Sequence, residues 1–158
     1  MNASANNLPQ QLRMTSSGFT LIELMVTIAV LAIIVSIAAP NISNQLANQR
    51  VKSTTATLAN ALKEAKVESI IRRQNLTFTY NNNGTNTGSI SIANISSHSY
   101  SAKSTITDSE SKNPITFEPS KRVESTTYTI CDENAAATPR QVSISKLANI
   151  SIKSGGAC

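Results

Sequence analysis

The chain has few of the side chains on which catalysis and metal binding depend. Among its 158 residues there is no tryptophan, one histidine and two cysteines, and only 4% of the residues are aromatic. Catalysis needs converging acids, bases or nucleophiles, and a zinc site needs several histidine or cysteine ligands. We therefore expect no enzymatic activity, no metal and no cofactor.

Charge is sparse, and one long apolar stretch contains a single charged residue. Charged residues make up 15% of the chain, with a formal net charge of +5 and no block of like charge. The run from Phe19 to Ala39 contains only Glu23 as a charge. As an α-helix it is about 31 Å long, which matches a hydrocarbon core of roughly 30 Å. A charge there costs at least ~2.5–3.5 kcal/mol, so we expect Glu23 to be functional and to have a partner.

The start of this run resembles a known processing signal. Gly18-Phe19-Thr20-Leu21-Ile22-Glu23, followed by an apolar helix, resembles the class III signal of type IV pilins and type II secretion pseudopilins. The resemblance implies that a prepilin peptidase cleaves between Gly18 and Phe19 and methylates the new Phe19 amine. It also implies that Glu23 pairs with the Phe19 ammonium of a neighbouring subunit during filament assembly.

The same resemblance implies a location and partners. The protein is expected to cross the bacterial inner membrane once, with a periplasmic head, and to reach the cell-surface pilus after assembly. Its expected partners are major and minor pilins, the prepilin peptidase and the inner-membrane assembly platform. The leader, residues 1–18, has Arg13 as its only charge, and Met14 is an alternative start.

An ordinary secretory signal is the alternative interpretation of the N-terminus. Ser36-Ile37-Ala38 gives a faint small-x-small pattern of the kind that precedes cleavage. Cleavage there would discard the helix and leave Glu23 without a purpose. The pilin-like interpretation is therefore favoured.

Beyond the apolar run, the sequence predicts one more helical segment and one small domain. Residues 19–39 are expected to form the transmembrane and filament-core helix, and 40–73 its amphipathic half, with a bend near Pro40 because proline removes a backbone hydrogen bond. Residues 74–158 are expected to form a β-rich head. A helical stripe is predicted to pack on its sheet, formed by Val51, Leu58, Ala61, Leu62 and Ala65.

The head shows an apolar period of two, which is typical of half-buried antiparallel strands. Strands are predicted at 76–80, 89–92, 127–130, 142–145 and 150–153. Between 94 and 124 we expect short strands and loops, anchored by Ile106, Ile115, Phe117 and Val123, with His98 in a solvated loop. The predicted fold is α+β, a long N-terminal helix packed on a small antiparallel sheet or sandwich.

The C-terminal part resembles the GspH/FimT family of minor pilins and pseudopilins. The resemblance is carried by Tyr128-Thr129-Ile130-Cys131-Asp132, the strand at 140–145 and the terminal Cys158. Both cysteines lie in the part that the resemblance places outside the cytoplasm. We therefore expect a disulfide between Cys131 and Cys158.

Three roles follow from this family resemblance. The favoured one is a FimU-like minor pilin that helps prime pilus assembly in a tip complex, supporting twitching motility, adhesion or DNA uptake. The alternatives are a FimT-like DNA receptor for natural transformation and a GspH-like pseudopilin of type II secretion. DNA-binding members carry a Gly-Arg-x-Arg element where this chain has Ala-Asn-Ile-Ser at 148–151. Only weak DNA contacts are then expected, from Arg140, Lys146 and Lys153.

Overall fold

The computed structural model describes residues 18–158, without the side chains of 38–40. The chain divides between Ala38 and Ala39 into two compact units. One helix, α1, runs from Leu21 to Arg72. It ends there because Arg73 adopts a left-handed conformation, φ 53°, and the Gln74 N–H then donates to the Ser69 carbonyl at 3.2 Å. The bend predicted near Pro40 falls at the boundary between the two units and stays a prediction.

Eight strands follow the helix and form two antiparallel sheets. They are β1 (Leu76–Asn81), β2 (Gly88–Ile92), β3 (Ser96–Tyr100), β4 (Ser104–Asp108), β5 (Ile115–Phe117), β6 (Thr126–Asp132), β7 (Arg140–Ile144) and β8 (Ile150–Ser154). Sheet A has the order β3-β2-β1-β5, and sheet B has the order β4-β6-β7-β8. The α+β fold and the five strands predicted from the apolar period are confirmed.

The segment between 94 and 124 contains the short strands β3, β4 and β5, as the sequence predicted. Its four predicted apolar anchors are all buried. The prediction of a loop at His98 is wrong, since His98 lies in β3 opposite Ile90. β3 escapes detection because three of its five residues are serine and backbone pairing with β2, not an apolar face, fixes it.

The core joins the helix to both sheets. The five residues of the predicted helical stripe are each no more than 1% exposed, and they belong to one apolar cluster with residues of both sheets. The sheets contact each other where two rings of β1 meet one ring of β6. The ring centroids of Phe78 and Tyr80 lie 6.2 Å and 5.7 Å from that of Tyr128. The predicted packing of the stripe on the head is confirmed.

Candidate assembly segment and head surfaces

The first turn of helix α1 is capped by a side chain. The Glu23 N–H donates to Thr20 Oγ1 at 3.3 Å, and the Leu24 N–H donates to the Thr20 carbonyl at 3.1 Å. Thr20 therefore acts as the N-cap, and Glu23 places its carboxylate in the first turn, where the helix dipole favours negative charge. Gly18 and Phe19 precede the helix and are exposed.

The helix surface that follows is hydrocarbon. The large apolar residues from Phe19 to Ile37 are 50–78% exposed. The hydroxyls of Thr27 and Ser36 do not interrupt this surface, because they donate to the carbonyls of Leu24 and Ile33 at 2.8 and 2.7 Å. Glu23 is the only ionisable group in the run.

By length and composition, no single helix among residues 18–158 qualifies as a membrane span. The two segments Leu21–Ile37 and Asn41–Arg72 meet the length and composition criteria for a membrane span only when they are taken together.

The C-terminal tail lies across the outer face of sheet B. Cys131 and Cys158 form the expected disulfide. The Gly155 N–H donates to the Pro139 carbonyl at 2.8 Å, and a side chain on Gly156 would stand 2.9 Å from Thr129 Cγ2. Only glycine fits this approach to the sheet, since φ of Gly156 is also +127°.

A partly buried ion pair fixes the end of β6 and the loop that follows it to helix α1. Arg50 Nε and Nη2 donate to the two carboxylate oxygens of Asp132, each at 2.8 Å. Burial by itself raises the pKa of Asp132, but the hydrogen bonds from Arg50 and from the Asn134 N–H outweigh it, and the net pKa is lowered. Two further hydrogen bonds join Asn44 to Asn134 and Asn48 to the Thr138 N–H.

Two more helix side chains hold the edges of the sheets. Glu64 accepts a hydrogen bond from Ser96 Oγ at 2.8 Å and contacts His98 Nε2 at 3.0 Å, and these bonds lower the pKa of Glu64. Lys66 donates to the Ala148 carbonyl at 2.8 Å. None of these contacts was predicted, because their partners lie 32 to 82 residues apart and no local pattern connects them.

The three candidate DNA contacts do not share a surface. Arg140 stands on the inner face of β7 with Val142 and lines a cleft of about 340 Å³ beside helix α1. Lys153 is paired with Gln141 and therefore stands on the outer face. Lys146 lies in the β7–β8 turn, on a separate cleft of about 770 Å³. The sequence could not predict this separation, because it does not specify the strand register.

Between residues 18 and 158, no group of three or more histidine, cysteine, aspartate or glutamate side chains is arranged around a common point.

Comparison with known sequences identifies the family. A model of the prokaryotic N-terminal methylation motif matches residues 13–39, and the model described as type II transport protein GspH matches residues 54–148. The chain belongs to the GspH family. The resemblance to pilin-like proteins of the GspH/FimT family is thus confirmed, and the methylation motif includes Gly18, Phe19 and Glu23. No curated protein sequence matches the chain significantly.

Solved structures confirm that this GspH-family chain has the type IV pilin fold. Two crystal structures of the type IV minor pilin FimU from Pseudomonas aeruginosa match it at 21% identity. One has a TM-score of 0.56, and the match covers 68% of this chain and 98% of the FimU chain in that crystal structure. The other has a TM-score of 0.58, covering 70% and 96%.

Proposed function

We propose that this chain is a minor subunit of a type IV pilus, incorporated through helix α1, that helps prime assembly as part of a tip complex. The observation that carries the proposal is the exposed hydrocarbon surface from Phe19 to Ile37, interrupted by the Glu23 carboxylate alone. Such a helix is stable only in lipid or among other helices of its kind. The fold shared with FimU, a type IV minor pilin, supports the choice of minor subunit.

The first step in this function is processing. A prepilin peptidase cleaves between Gly18 and Phe19 and methylates Phe19, which removes the leader, residues 1–18. Before assembly the chain spans the inner membrane through residues 19–39, and the head, residues 74–158, stands in the periplasm. The Cys131–Cys158 disulfide supports an oxidising compartment for the head.

The second step is docking in the filament, where the Glu23 carboxylate pairs with the Phe19 ammonium of a neighbouring subunit. At an effective dielectric near 20, two charges ~4 Å apart attract by about 4 kcal/mol, part of which is offset by desolvation. This single polar contact sets the axial register, since the surrounding apolar contacts are nonspecific.

Substitution of Glu23 tests the proposal. Glu23→Ala should still be inserted and processed, but should be recovered in sheared pili at a small fraction of the wild-type amount. Glu23→Gln is the matched control for shape and should fail in the same way if charge is the cause. Mass spectrometry of the N-terminus reports cleavage and methylation at Phe19. Normal incorporation of Glu23→Ala would overturn the proposal.

A type II secretion pseudopilin is the second candidate, and the description of the matching family model favours it. A deletion strain separates the two, because loss of pili supports the pilus role and loss of protein secretion with normal pili supports the other. Normal piliation with lost DNA uptake would instead favour a DNA receptor. That role is less favoured, since Arg140 and Lys153 stand on opposite faces of sheet B.

A further inference from the structure

The edge strands of the two sheets are protected unequally. β4 is capped at its middle by a side chain, because Asn82 Nδ2 donates to the Ile106 carbonyl at 2.7 Å and Asn82 Oδ1 accepts from the Ile106 N–H at 2.9 Å. β5 has only three residues. β3 has two of its side chains bound by Glu64. β8, the last strand of sheet B, is five residues long and four of them are exposed.

The hydrogen bonds at both ends of the β7–β8 ladder define which backbone groups of β8 are used. The Ser145 N–H donates to the Asn149 carbonyl at 3.0 Å, and the Gly155 N–H donates to the Pro139 carbonyl at 2.8 Å. Both contacts belong to hydrogen-bonded pairs of an antiparallel ladder, and such pairs alternate with pairs that are not hydrogen-bonded.

This alternation gives the direction of the remaining backbone N–H and C=O groups of β8. Ser151 and Lys153 direct their N–H and C=O groups toward β7. Ile150, Ile152 and Ser154 direct theirs toward the open edge of the sheet. β8 therefore offers a row of donors and acceptors spaced for another strand.

The side chains of β8 indicate what the added strand would look like. Ile152 stands on the inner face opposite the fully buried Val142, yet it is 47% exposed. An apolar side chain on an added strand would cover it. Lys153 stands on the outer face, where an acidic side chain on the same added strand would meet it.

In the sequence around β8, the charged side chains have one sign. The chain contains no aspartate or glutamate from Asn134 to Cys158, while Arg140, Lys146 and Lys153 fall in that range. An added strand is therefore favoured when it alternates acidic residues on the outer face with apolar residues on the inner face. A second copy of β8 would bring another Lys153 and no acidic residue.

We propose that β8 accepts an extended acidic strand from a different subunit of the same assembly, by β-strand addition. This inference rests on the proposed function for the presence of such a partner. DNA fits the site less well, because the nearby cations lie on different faces while the open backbone groups form one continuous row.

A synthetic strand tests the inference. The probe is the capped peptide Thr-Glu-Val-Glu-Val-Glu-Thr, and its control is the same peptide with lysine in place of glutamate. Amide exchange at Ile152 and Ser154 is measured by NMR on the full chain in detergent micelles. The exchange rate should fall by a factor of 1 + [peptide]/Kd, which is about fivefold at a free peptide concentration of about four times Kd. The lysine peptide should leave it unchanged.

Two variants separate backbone pairing from side-chain contact. Ile152→Pro removes one N–H of the open edge without touching the ladder to β7 and should abolish the protection at Ser154, whereas Ile152→Ala should keep most of it. Lys153→Glu retains every backbone group and should weaken the binding of the acidic peptide by up to about fivefold. No protection in the wild-type chain, or equal protection in Ile152→Pro, would overturn the inference.

The outcome is independent of pilus assembly, because the peptide experiment needs no filament. If the wild-type chain binds the peptide but never enters pili, the proposed function fails and the strand site stands. If it enters pili but shows no protection by the peptide, the strand site fails and the proposed function stands. If a short DNA duplex perturbs the NMR signals of Arg140 and Lys153 and the acidic peptide has no effect, the ligand of this site is nucleic acid and the strand proposal fails.

Discussion

Arg50 of helix α1 and Asp132 at the end of β6 form two hydrogen bonds of 2.8 Å each, across 82 residues of sequence. The Asp132 side chain is fully buried, and that of Arg50 is 28% exposed. A carboxylate in this position is stable only while its partner is present, because burial removes its water. The pair therefore ties the fold of the head to the helix that enters it.

Removal of Arg50 should be costly. Arg50→Ala leaves the Asp132 carboxylate buried and unpaired, and we expect a loss of about 2–4 kcal/mol in the free energy of unfolding, less than for a wholly buried pair because Arg50 is partly exposed. Arg72→Ala is the matched control, since the Arg72–Glu68 pair lies on the helix surface and should contribute under about 0.5 kcal/mol. Urea denaturation measures both. Equal losses would show that the burial of Asp132 has no special role.

Acid should weaken the same contacts. The pKa of Asp132 lies below 3.8 and that of Glu64 below 4.5, their ordinary values. In this range the unfolded state binds more protons, so the stability these groups contribute is present above their unfolded pKa values and is lost as the pH falls through the folded ones. We expect the free energy of unfolding to decrease as the pH is lowered below about 4.5.

The control for this prediction is a neighbouring carboxylate. Asp132→Asn should flatten the acid limb of the stability curve. Glu133→Gln should leave it unchanged, because the Glu133 side chain is 73% exposed and forms only a surface pair with Lys103 at 3.7 Å. An unchanged acid limb in Asp132→Asn would contradict the assignment.

The sequence predicted the parts of this fold that depend on local pattern. The stripe around Leu58 and Leu62 and the five strands with apolar alternation follow from the periods of helix and strand. β3 could not be found in this way, because its serines have no apolar face and its position depends on β2 and Glu64. The placement of Arg140 and Lys153 on opposite faces depends on strand register, which one sequence does not specify.

The C-terminal tail should tolerate no side chain at Gly156. An added Cβ would stand 2.9 Å from Thr129 Cγ2, and φ is +127°, a region that is essentially restricted to glycine. We expect Gly156→Ala to lower the free energy of unfolding by about 1–3 kcal/mol. Gly84→Ala is the control, because Gly84 also has a positive φ, +64°, but has no atom within 4 Å of the added Cβ. Its loss should be limited to about 1–2 kcal/mol of backbone strain.

The edge of β4 should become able to pair with another strand when the Asn82 side chain that caps it is removed. Asn82 makes two hydrogen bonds to Ile106 and accepts a third from Tyr100 Oη at 2.6 Å. Asn82→Ala should therefore lower the free energy of unfolding by about 1–3 kcal/mol and promote association through β4. Asn83→Ala, at the exposed neighbouring position, should change stability by no more than about 0.5 kcal/mol. Denaturation and sedimentation measure the two effects separately. If Asn82→Ala associates and the wild-type chain does not, the Asn82 cap is what keeps the edge of β4 from pairing, whereas equal association of the two chains would contradict this role.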